Sequence, residues 1–425
     1  MSPPWKKTFY ALCIAQFIAM LGFSFVMPFL SFYIKHLPVP IPEGPEADKW
    51  AGIIMMAGGL PMVVFSPIWG LLADRYGRKP MVLRAMLGGA VVIALMGCAQ
   101  NITHLLILRI LQGMLTGTVG ASMALAASIT PKERAGTVLG TLIVSSTSGQ
   151  YIGPVLGGYS AKFFGYEPTF FLAGGILVLG GLIVHFAVRE KFTRSVAAKT
   201  DVRGSFLPLL KTGAFIVPVV TLCLINFSAT APGPIFPYFV KRISAMSDAE
   251  AGALTGLILS IVGPVEASSA WMFGFFGDRW GQKRVLMFCV VWGGIMASLQ
   301  AYSQTIGQLI LIRVLFGFGM AGIFPTASAL IRKVAPEQSM GKAFGIVSSV
   351  TSLGWSLGPL VGAYFSVFMR SYRATFTLSG ELLLFVSLFI AWRVRHPTPV
   401  VERREEGVRT LEPALSRDPP EPPGP

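Results

Sequence analysis

The chain has 425 residues, of which 53% are hydrophobic and only 13% are charged, and its formal net charge is +15. A soluble globular protein carries about twice this share of charged residues. The composition therefore excludes an ordinary soluble domain. Apolar runs of roughly 17 to 25 residues, long enough to cross a bilayer as α-helices, recur along the chain and indicate an all-α membrane protein.

Twelve such runs are predicted as membrane-spanning helices. They lie at 8–34, 50–72, 80–99, 103–126, 137–160, 168–188, 213–240, 250–273, 283–302, 306–329, 340–366 and 372–393. The first run is longer than a signal-peptide core and lacks a small-residue cleavage site, so we interpret it as a retained span. Residues 394–425, which end in RDPPEPPGP, are predicted to form a disordered tail.

Lysine and arginine residues are distributed unevenly between the two sides of the predicted spans. With a cytoplasmic N-terminus, 20 of the 35 fall in the N-terminus and the cytoplasmic segments between spans, seven in the outer loops and six in the tail. This positive-inside distribution predicts a multi-pass protein of the inner (plasma) membrane with both termini cytoplasmic. The basic balance therefore indicates contact with lipid headgroups and no nucleic-acid partner.

The second half of the chain repeats the first. GLLADRYGRKP, from Gly70 to Pro80, recurs 204 positions later as GFFGDRWGQKR, and MPFLSFYIK recurs 206 positions later as GPIFPYFVK. We therefore predict an N-terminal bundle of six helices at 1–188, a cytoplasmic linker at 189–211 and a C-terminal bundle of six at 212–393. An even number of spans per half gives a parallel repeat with a cavity between the halves near the bilayer midplane.

The repeated charged loops are candidate gating elements. One interpretation is a tight turn whose cations fix the topology. The other is a latch, in which Asp74 accepts hydrogen bonds from the amino end of a helix in the opposite half. The candidate residues are Gly70, Asp74, Arg75, Gly77, Arg78 and Lys79 in the first copy, and Gly274, Asp278, Arg279, Gly281 and Lys283 in the second.

Glycine-rich runs in spans 5 and 11 form a second repeated motif. Glycines allow helices to approach closely, and Pro154 removes a backbone hydrogen bond and bends its helix. We expect the span 5 face to lie at the seam between the halves, with generic close packing as the alternative. The motif comprises Gly140, Gly149, Gly153, Pro154, Gly157, Gly158, Gly354, Gly358 and Pro359.

Few charged residues lie within the spans, and such residues are costly in a membrane and commonly functional. Glu266 lies about 18 Å from Asp278 and about 24 Å from Glu250 along its helix, near the midplane, and is a candidate proton carrier. Arg109 and Glu381 are further candidates for proton coupling. A structural pairing remains the alternative for each, and carries more weight for Arg313, the repeat counterpart of Arg109.

Polar, apolar and aromatic side chains near the predicted cavity are candidates for substrate contact. They are Gln16, Phe23, Met27, Tyr151, Asn226, Phe227 and Trp355. The sequence contains no phosphate-binding loop, nucleophile elbow or zinc-protease motif, and its four histidines have no ligand spacing. We therefore expect no enzyme, no catalytic residue, no cofactor and no metal.

With these motifs the sequence resembles the major facilitator superfamily, and within it the twelve-span drug:proton antiporters. Among those antiporters it is most similar to the bacterial multidrug efflux carriers. The resemblance covers nearly all of the chain except the tail. It implies two pseudo-symmetric six-helix bundles that export small lipophilic or amphiphilic drugs in exchange for protons by alternating access, and so confer antibiotic resistance. It further implies a latch between Asp74 and span 11 near Gly341, and contact between spans 5 and 8. It also places Arg109 at the basic position of the antiporter motif in span 4. We expect the protein to be a monomer.

One departure from the family pattern keeps other functions open. Several drug:proton antiporters carry acidic residues in span 1, whereas no predicted span of the N-terminal half contains a carboxylate, and Arg109 could instead meet an anionic substrate. A carrier of a defined metabolite, such as a sugar or organic anion, is the first alternative. A non-transporting membrane receptor or scaffold is the second. The antiporter-type glycine motif favours the drug exporter, and two intact loops argue against a static scaffold.

Overall fold

The structure is a computed structural model that describes residues 4–131, 134–190, 213–334 and 340–393. Within these ranges the chain is helical apart from short connections, and no strand occurs in them. Most of the predicted linker and the whole predicted tail lie outside the described residues. The expected all-α membrane fold of two pseudo-symmetric halves is confirmed.

Each half contains helices that follow the predicted spans closely. The first half comprises α1 (Pro4–Ser24), α2 (Leu30–Tyr33), α3 (Pro45–Tyr76), α4 (Arg78–Met96), α5 (Ile102–Leu115), α6 (Thr118–Ile129), α7 (Ala135–Phe164) and α8 (Tyr166–Ala187). The second comprises α9 (Gly213–Thr230), α10 (Phe236–Ser244), α11 (Asp248–Trp280), α12 (Gln282–Gln300), α13 (Ile306–Met320), α14 (Ile323–Val334), α15 (Met340–Phe368) and α16 (Tyr372–Arg393).

Nine helical segments within the described ranges are long and apolar enough to cross a membrane by length and composition. The remaining predicted spans, 137–160, 213–240 and 283–302, are helical as well, in α7, in α9 with α10, and in α12. The helices are therefore consistent with twelve crossings, and the count itself stays a prediction.

The structure interrupts spans 1, 4, 7 and 10, each of which the sequence predicted as one continuous helix. Gly117 separates α5 from α6 with a φ of 116°, a left-handed backbone that glycine adopts without steric cost. Gly77 and Gly281 have φ values of 101° and 95° and connect α3 to α4 and α11 to α12. Both loop glycines of the repeated motif are therefore required by the backbone of a tight turn.

The two halves contact each other along the helix pairs α7–α11 and α3–α15 and at one end of the molecule. This end is called here the closed end and carries residues 31–48 and 234–250. The hydrogen bonds and the ion pair across this end are Ser31 Oγ donating to the Pro234 carbonyl oxygen at 2.8 Å, Tyr238 OH donating to the Ser31 carbonyl oxygen, Tyr372 OH donating to Asp48 Oδ1 at 3.4 Å, and the Lys162–Glu250 pair at 3.7 Å. Since the partners come from different halves, these contacts hold the halves together there.

The opposite end, called here the open end, carries the Gly77 and Gly281 loops. A Cβ added at Gly70, Gly140 or Gly274 would meet no atom within 4 Å, although the sequence predicted a close helix neighbour at Gly70. Within the described part of the chain, the hydrogen bonds and ion pairs that join the halves lie at the closed end or around the central cavity. The halves therefore diverge toward the open end.

The glycines of span 5 pack differently from the prediction. A Cβ at Gly149, Gly153 or Gly157 would overlap the backbone or Ser24 side chain of the first transmembrane segment, in the same half. Only Gly158 faces the other half, where the added Cβ would lie 2.8 Å from the carbonyl oxygen of Gly252. The seam prediction is therefore wrong for three of these glycines, because α7 packs against α1 through them and against α11 through a neighbouring face.

The second half shows the same arrangement. A Cβ at Gly354, Gly358 or Gly362 would overlap the backbone of residues 223–231 in and just after α9. Each glycine-rich helix is therefore fitted to the first helix of its own half. The expected approach of spans 5 and 8 is nevertheless present, since a Cβ at Gly256 of α11 would overlap the carbonyl of Pro154.

Candidate functional site

A central cavity of about 470 Å³ lies between the two halves. Its walls come from α1, α3 and α5–α7 of the first half and from α11, α13 and α15 of the second. Much of the wall consists of flexible or aromatic apolar side chains, which adapt to ligands of different shape. These are Met20, Phe23, Met27, Met55, Met62, Leu259, Val262, Phe316 and Trp355.

Glu266 contributes a carboxylate to this wall from the middle of α11. The hydroxyl of Tyr151, on α7 of the opposite half, donates a hydrogen bond to Glu266 Oε2. α7 and α11 approach closely here because Gly263, one turn before Glu266, leaves room for the Tyr151 ring. The bond therefore joins the halves at the cavity, through the carboxylate that the sequence singled out.

Arg109 and Arg313 line the same cavity from equivalent positions in the two halves. Arg109 is 2% exposed, and its Nη1 donates to Gln112 Oε1 at 2.7 Å. Arg313 donates to Gln300 Oε1 at 3.2 Å, and its guanidinium lies 5.1 Å from the ring centroids of Phe236 and Phe316. The Nε atom of each arginine has no hydrogen-bond partner among the described residues, so both cations retain capacity for further contacts.

Four of the predicted substrate-contact residues line the cavity: Phe23, Met27, Tyr151 and Trp355. Gln16 does not, because its side-chain amide bonds Thr118 and Ser122 inside the first half. Asn226 turns back to donate to the Leu222 carbonyl oxygen of its own helix.

Phe227 and Glu381 are also absent from the cavity lining. The backbone of Phe227 packs against Gly358 within the second half. Glu381 is exposed on α16. The structure therefore brings Glu266 and Arg109 together at the cavity and leaves Glu381 apart from them.

The repeated charged loops lie at the open end, where their cations bond helix ends within each half. Lys79 Nζ donates to the His185 carbonyl oxygen at 2.7 Å, and its repeat counterpart Lys283 donates to the Ala391 carbonyl oxygen at 3.2 Å. Arg78 Nη1 donates to the Ala124 carbonyl oxygen at 2.9 Å. The side chain of Asp74 and those around Gly341 lie outside the described part of the chain, so the predicted latch stays a prediction.

The other charged members of the loops remain near the turns. Asp278 Oδ1 accepts from Gln282 Nε2 at 2.9 Å, Arg75 lies 5.4 Å from the ring centroid of Tyr76, and Arg279 is exposed. Each of these contacts lies within one half, so none of these described loop side chains bridges the halves.

Sequence reasoning missed two carboxylates. Glu190 accepts from the backbone N–H groups of Arg78 and Lys79 at 2.9 and 2.8 Å and so caps the amino end of α4. Asp48 is 6% exposed and lies within a candidate span, because α3 begins at Pro45. The acidic first turn after Pro45 is the sequence signal for this earlier start of α3, which the predicted span at 50–72 missed.

No group of three or more histidine, cysteine, aspartate or glutamate side chains within the described ranges is arranged to hold a metal ion. The charged and phenolic groups that line the central cavity are the Glu266 carboxylate, the Tyr151 phenol and the Arg109 and Arg313 guanidinium groups.

Comparison with known proteins identifies relatives along nearly the whole chain. The family model of the Major Facilitator Superfamily matches residues 12–267 and 219–420. A protein named multidrug resistance protein MdtG from Dickeya zeae (strain Ech586) is 33% identical over 91% of this chain and 94% of its own length. One of the same name from Escherichia coli O17:K52:H18 (strain UMN026 / ExPEC) is also 33% identical, with the same coverage.

Solved structures of low sequence identity share the fold. The human organic anion transporter MFSD10 (TETRAN) matches with a TM-score of 0.68 and 17% identity, covering 92% of this chain and all of its own. The nucleoside transporter NupG matches with a TM-score of 0.71 and 14% identity, covering 92% and 99% of the two chains. From the family model, the relatives and the fold together, this chain belongs to the Major Facilitator Superfamily.

Proposed function

We propose that this protein exports small lipophilic or amphiphilic drugs in exchange for protons, with the central cavity as the drug site and Glu266 as the proton carrier. The observation that carries the proposal is the hydrogen bond between Tyr151 and Glu266, which joins the two halves at the cavity wall. A proton that binds to Glu266 neutralises a charge in the drug site and, at the same time, alters a contact between the two halves.

The cavity fits the proposed substrate class. Its volume of about 470 Å³ falls in the range of roughly 300 to 1,000 Å³ that small-molecule sites occupy. Eight of its 24 lining residues are methionine or aromatic, and these side chains can repack around molecules of different shape. The relatives named multidrug resistance proteins, at 33% identity over 91% of the chain, support drugs rather than a single metabolite.

Exchange follows from competition between drug and proton. An ionised carboxylate is costly in a low-dielectric site unless a donor or cation accompanies it. Tyr151 supplies a donor, and Arg313 lines the same cavity as a cation. A drug that enters from the open end displaces the proton of Glu266, and a proton that arrives from the other side of the membrane later displaces the drug.

We assign the open end to the cytoplasm. The basic loops that contain Arg78, Lys79 and Lys283 lie there, and cytoplasmic segments carry an excess of lysine and arginine. In this orientation the cavity is accessible from the cytoplasm and the closed end faces outward, as an exporter waiting for its substrate requires. With this orientation we propose that both termini are cytoplasmic.

Purified protein in liposomes tests the proposal directly. With an imposed pH gradient, the wild-type protein should move a fluorescent lipophilic cation against its own gradient and dissipate the pH gradient as it does so. Glu266→Gln keeps the size and hydrogen-bonding capacity of the side chain but cannot ionise. It should therefore reduce gradient-driven transport to background while drug binding in detergent is retained.

Glu381→Gln is the matched control, because Glu381 is also a glutamate on a membrane-spanning helix but is exposed and outside the cavity lining. Its transport should equal that of the wild type. Gradient-driven transport that persists in Glu266→Gln would contradict the assignment of the proton carrier. Drug transport by the wild type that ignores the pH gradient would contradict proton coupling altogether.

A further inference from the structure

A second cavity, of about 210 Å³, lies at the closed end within the second half. It forms where α10 ends, where the connection after α12 passes, and where α16 begins. Its polar lining consists of Arg242, Ser303, Gln304, Tyr372 and Arg373. This cavity is separate from the central one, since the two share no lining residue.

The polar groups of this cavity are suited to an anion. Two arginine residues line it, and no aspartate or glutamate does. Neither Arg242 nor Arg373 forms an ion pair or a side-chain hydrogen bond with any described residue. Two like charges at one cavity repel each other, so their proximity favours an anion between them.

Ser303 provides an independent indication of a ligand. It is 2% exposed, and its Oγ is buried without a hydrogen-bond partner among the described residues. A buried hydroxyl without a partner is destabilising and uncommon in folded proteins. An oxyanion in the cavity that Ser303 lines would supply the missing acceptor.

The repeat shows that the fold does not require these cations. Tyr166 and Tyr372 begin equivalent helices, α8 and α16, 206 positions apart. At the same offset, Arg373 corresponds to Glu167 and Arg242 to His36. The first half thus carries a carboxylate and an imidazole where the second carries two guanidinium groups, and only the second half has the charge of an anion site.

We propose that this closed-end cavity binds a tetrahedral oxyanion, a phosphate or sulfate group, between Arg242 and Arg373 with Ser303 as a further donor. Guanidinium groups bind such oxygens through two parallel hydrogen bonds each. The group can be a free anion or the phosphate of a lipid headgroup, and either presents the same chemistry. Tyr372 lines the cavity and also donates to Asp48 of the first half, so the bound anion stabilises the closed end.

Thermal unfolding of the full-length protein in lipid nanodiscs tests the site. In phosphatidylcholine nanodiscs, inorganic phosphate is titrated at constant ionic strength, and in a second arm phosphatidylglycerol replaces part of the phosphatidylcholine. The wild type should show a saturable rise in unfolding temperature in at least one arm. Arg242→Gln with Arg373→Gln should weaken the apparent affinity by about tenfold or more, because charge-assisted hydrogen bonds are lost.

Arg370→Gln is the matched control, since Arg370 precedes α16 at the same end and does not line the cavity. It should respond as the wild type does, and Ser303→Ala should weaken the response without changing the net charge. A response to phosphate identifies a free anion, and a response to phosphatidylglycerol alone identifies a headgroup. An equal response in the wild type and the double variant, or no response in either arm, would overturn the proposal.

Discussion

Gly157 lies where α7 crosses the end of α1, and the carbonyl of Phe25 occupies the space that a side chain would need. Helix pairs in membranes gain most of their stability from such close backbone approaches. Gly149 and Gly153 of α7 contact the same transmembrane segment in the same way. At the scale of single residues, these glycines fix the position of α7 and hence that of Tyr151 at the cavity.

Gly157→Ala should lower the stability of the purified protein, because the added methyl group overlaps backbone that cannot rotate away. Overpacking of this kind costs about 1 to 3 kcal/mol. Gly175→Ala is the matched control, since a Cβ at that exposed helical position meets no atom within 4 Å. Unfolding temperatures in detergent should fall for the first variant and stay within error of the wild type for the second. Equal values for both would contradict the packing described for α7.

The sequence was informative about Glu266 and Arg109 for one physical reason: a charge in an apolar span is costly and therefore commonly faces a polar cavity. It was less informative about Asn226 and Phe227. Uncharged residues of these types are stable on several faces of a helix, and Asn226 can bond its own backbone. Which face meets the cavity depends on how the helices rotate as they pack, and that information is spread over many contacts.

The amino end of α4 shows how an element can depend on a residue distant in sequence. Four N–H groups at the start of a helix lack partners within it, and α4 has no side-chain cap from its own flanking residue, Gly77. Glu190, just after α8, accepts from the N–H groups of Arg78 and Lys79. A carboxylate at this position also interacts favourably with the helix dipole.

Glu190→Ala should therefore loosen the first turn of α4, with a loss of about 0.5 to 2 kcal/mol, as for other helix caps. Amide hydrogen exchange at Arg78, Lys79 and Met81 should become faster; Pro80 carries no amide hydrogen. The first turn of α12, the repeat counterpart, has no contact with Glu190 and provides the internal control through residues 282–285. Unchanged exchange at 78–81, or equal acceleration in both helices, would contradict the capping role.

The repeated charged motif predicts local turns but not the conformational state of the transporter. A tight turn between two helices needs a residue with a positive φ, and Gly77 and Gly281 of the motif occupy those positions. The motif did not reveal that Gly70 lacks a neighbour in this conformation. A motif that serves both states of a transporter contains no information about which state is populated, since both are compatible with the same sequence.

On the scale of the whole molecule, the two halves pack against each other along α7–α11 and α3–α15, share a few polar contacts at the closed end, and diverge toward the open end among the described residues. Alternating access requires these contacts to break while each half keeps its own packing. The exposed Lys162–Glu250 pair, at 3.7 Å, contributes little stability by itself. It is therefore a contact that can open at low cost, and its separation reports on the movement of one half relative to the other.

A disulfide in place of this pair should stop transport. In a protein whose four native cysteines are replaced by alanine, Lys162→Cys with Glu250→Cys should cross-link under oxidation, and the link should block opening of the closed end. Drug transport into liposomes should fall to background and recover after reduction. Drug binding should remain, because the cavity stays accessible from the open end.

The control is a pair of the same charges within one half. Lys35 and Glu43 also lie at the closed end, 3.3 Å apart, so Lys35→Cys with Glu43→Cys tests the chemistry of cross-linking without joining the halves. Transport by that variant should be equal before and after oxidation. Because only the first cross-link spans the halves, a difference between the two variants isolates their relative movement from local damage. Full transport by the oxidised Lys162→Cys, Glu250→Cys protein would show that the closed end need not open, and that substrate leaves by another route.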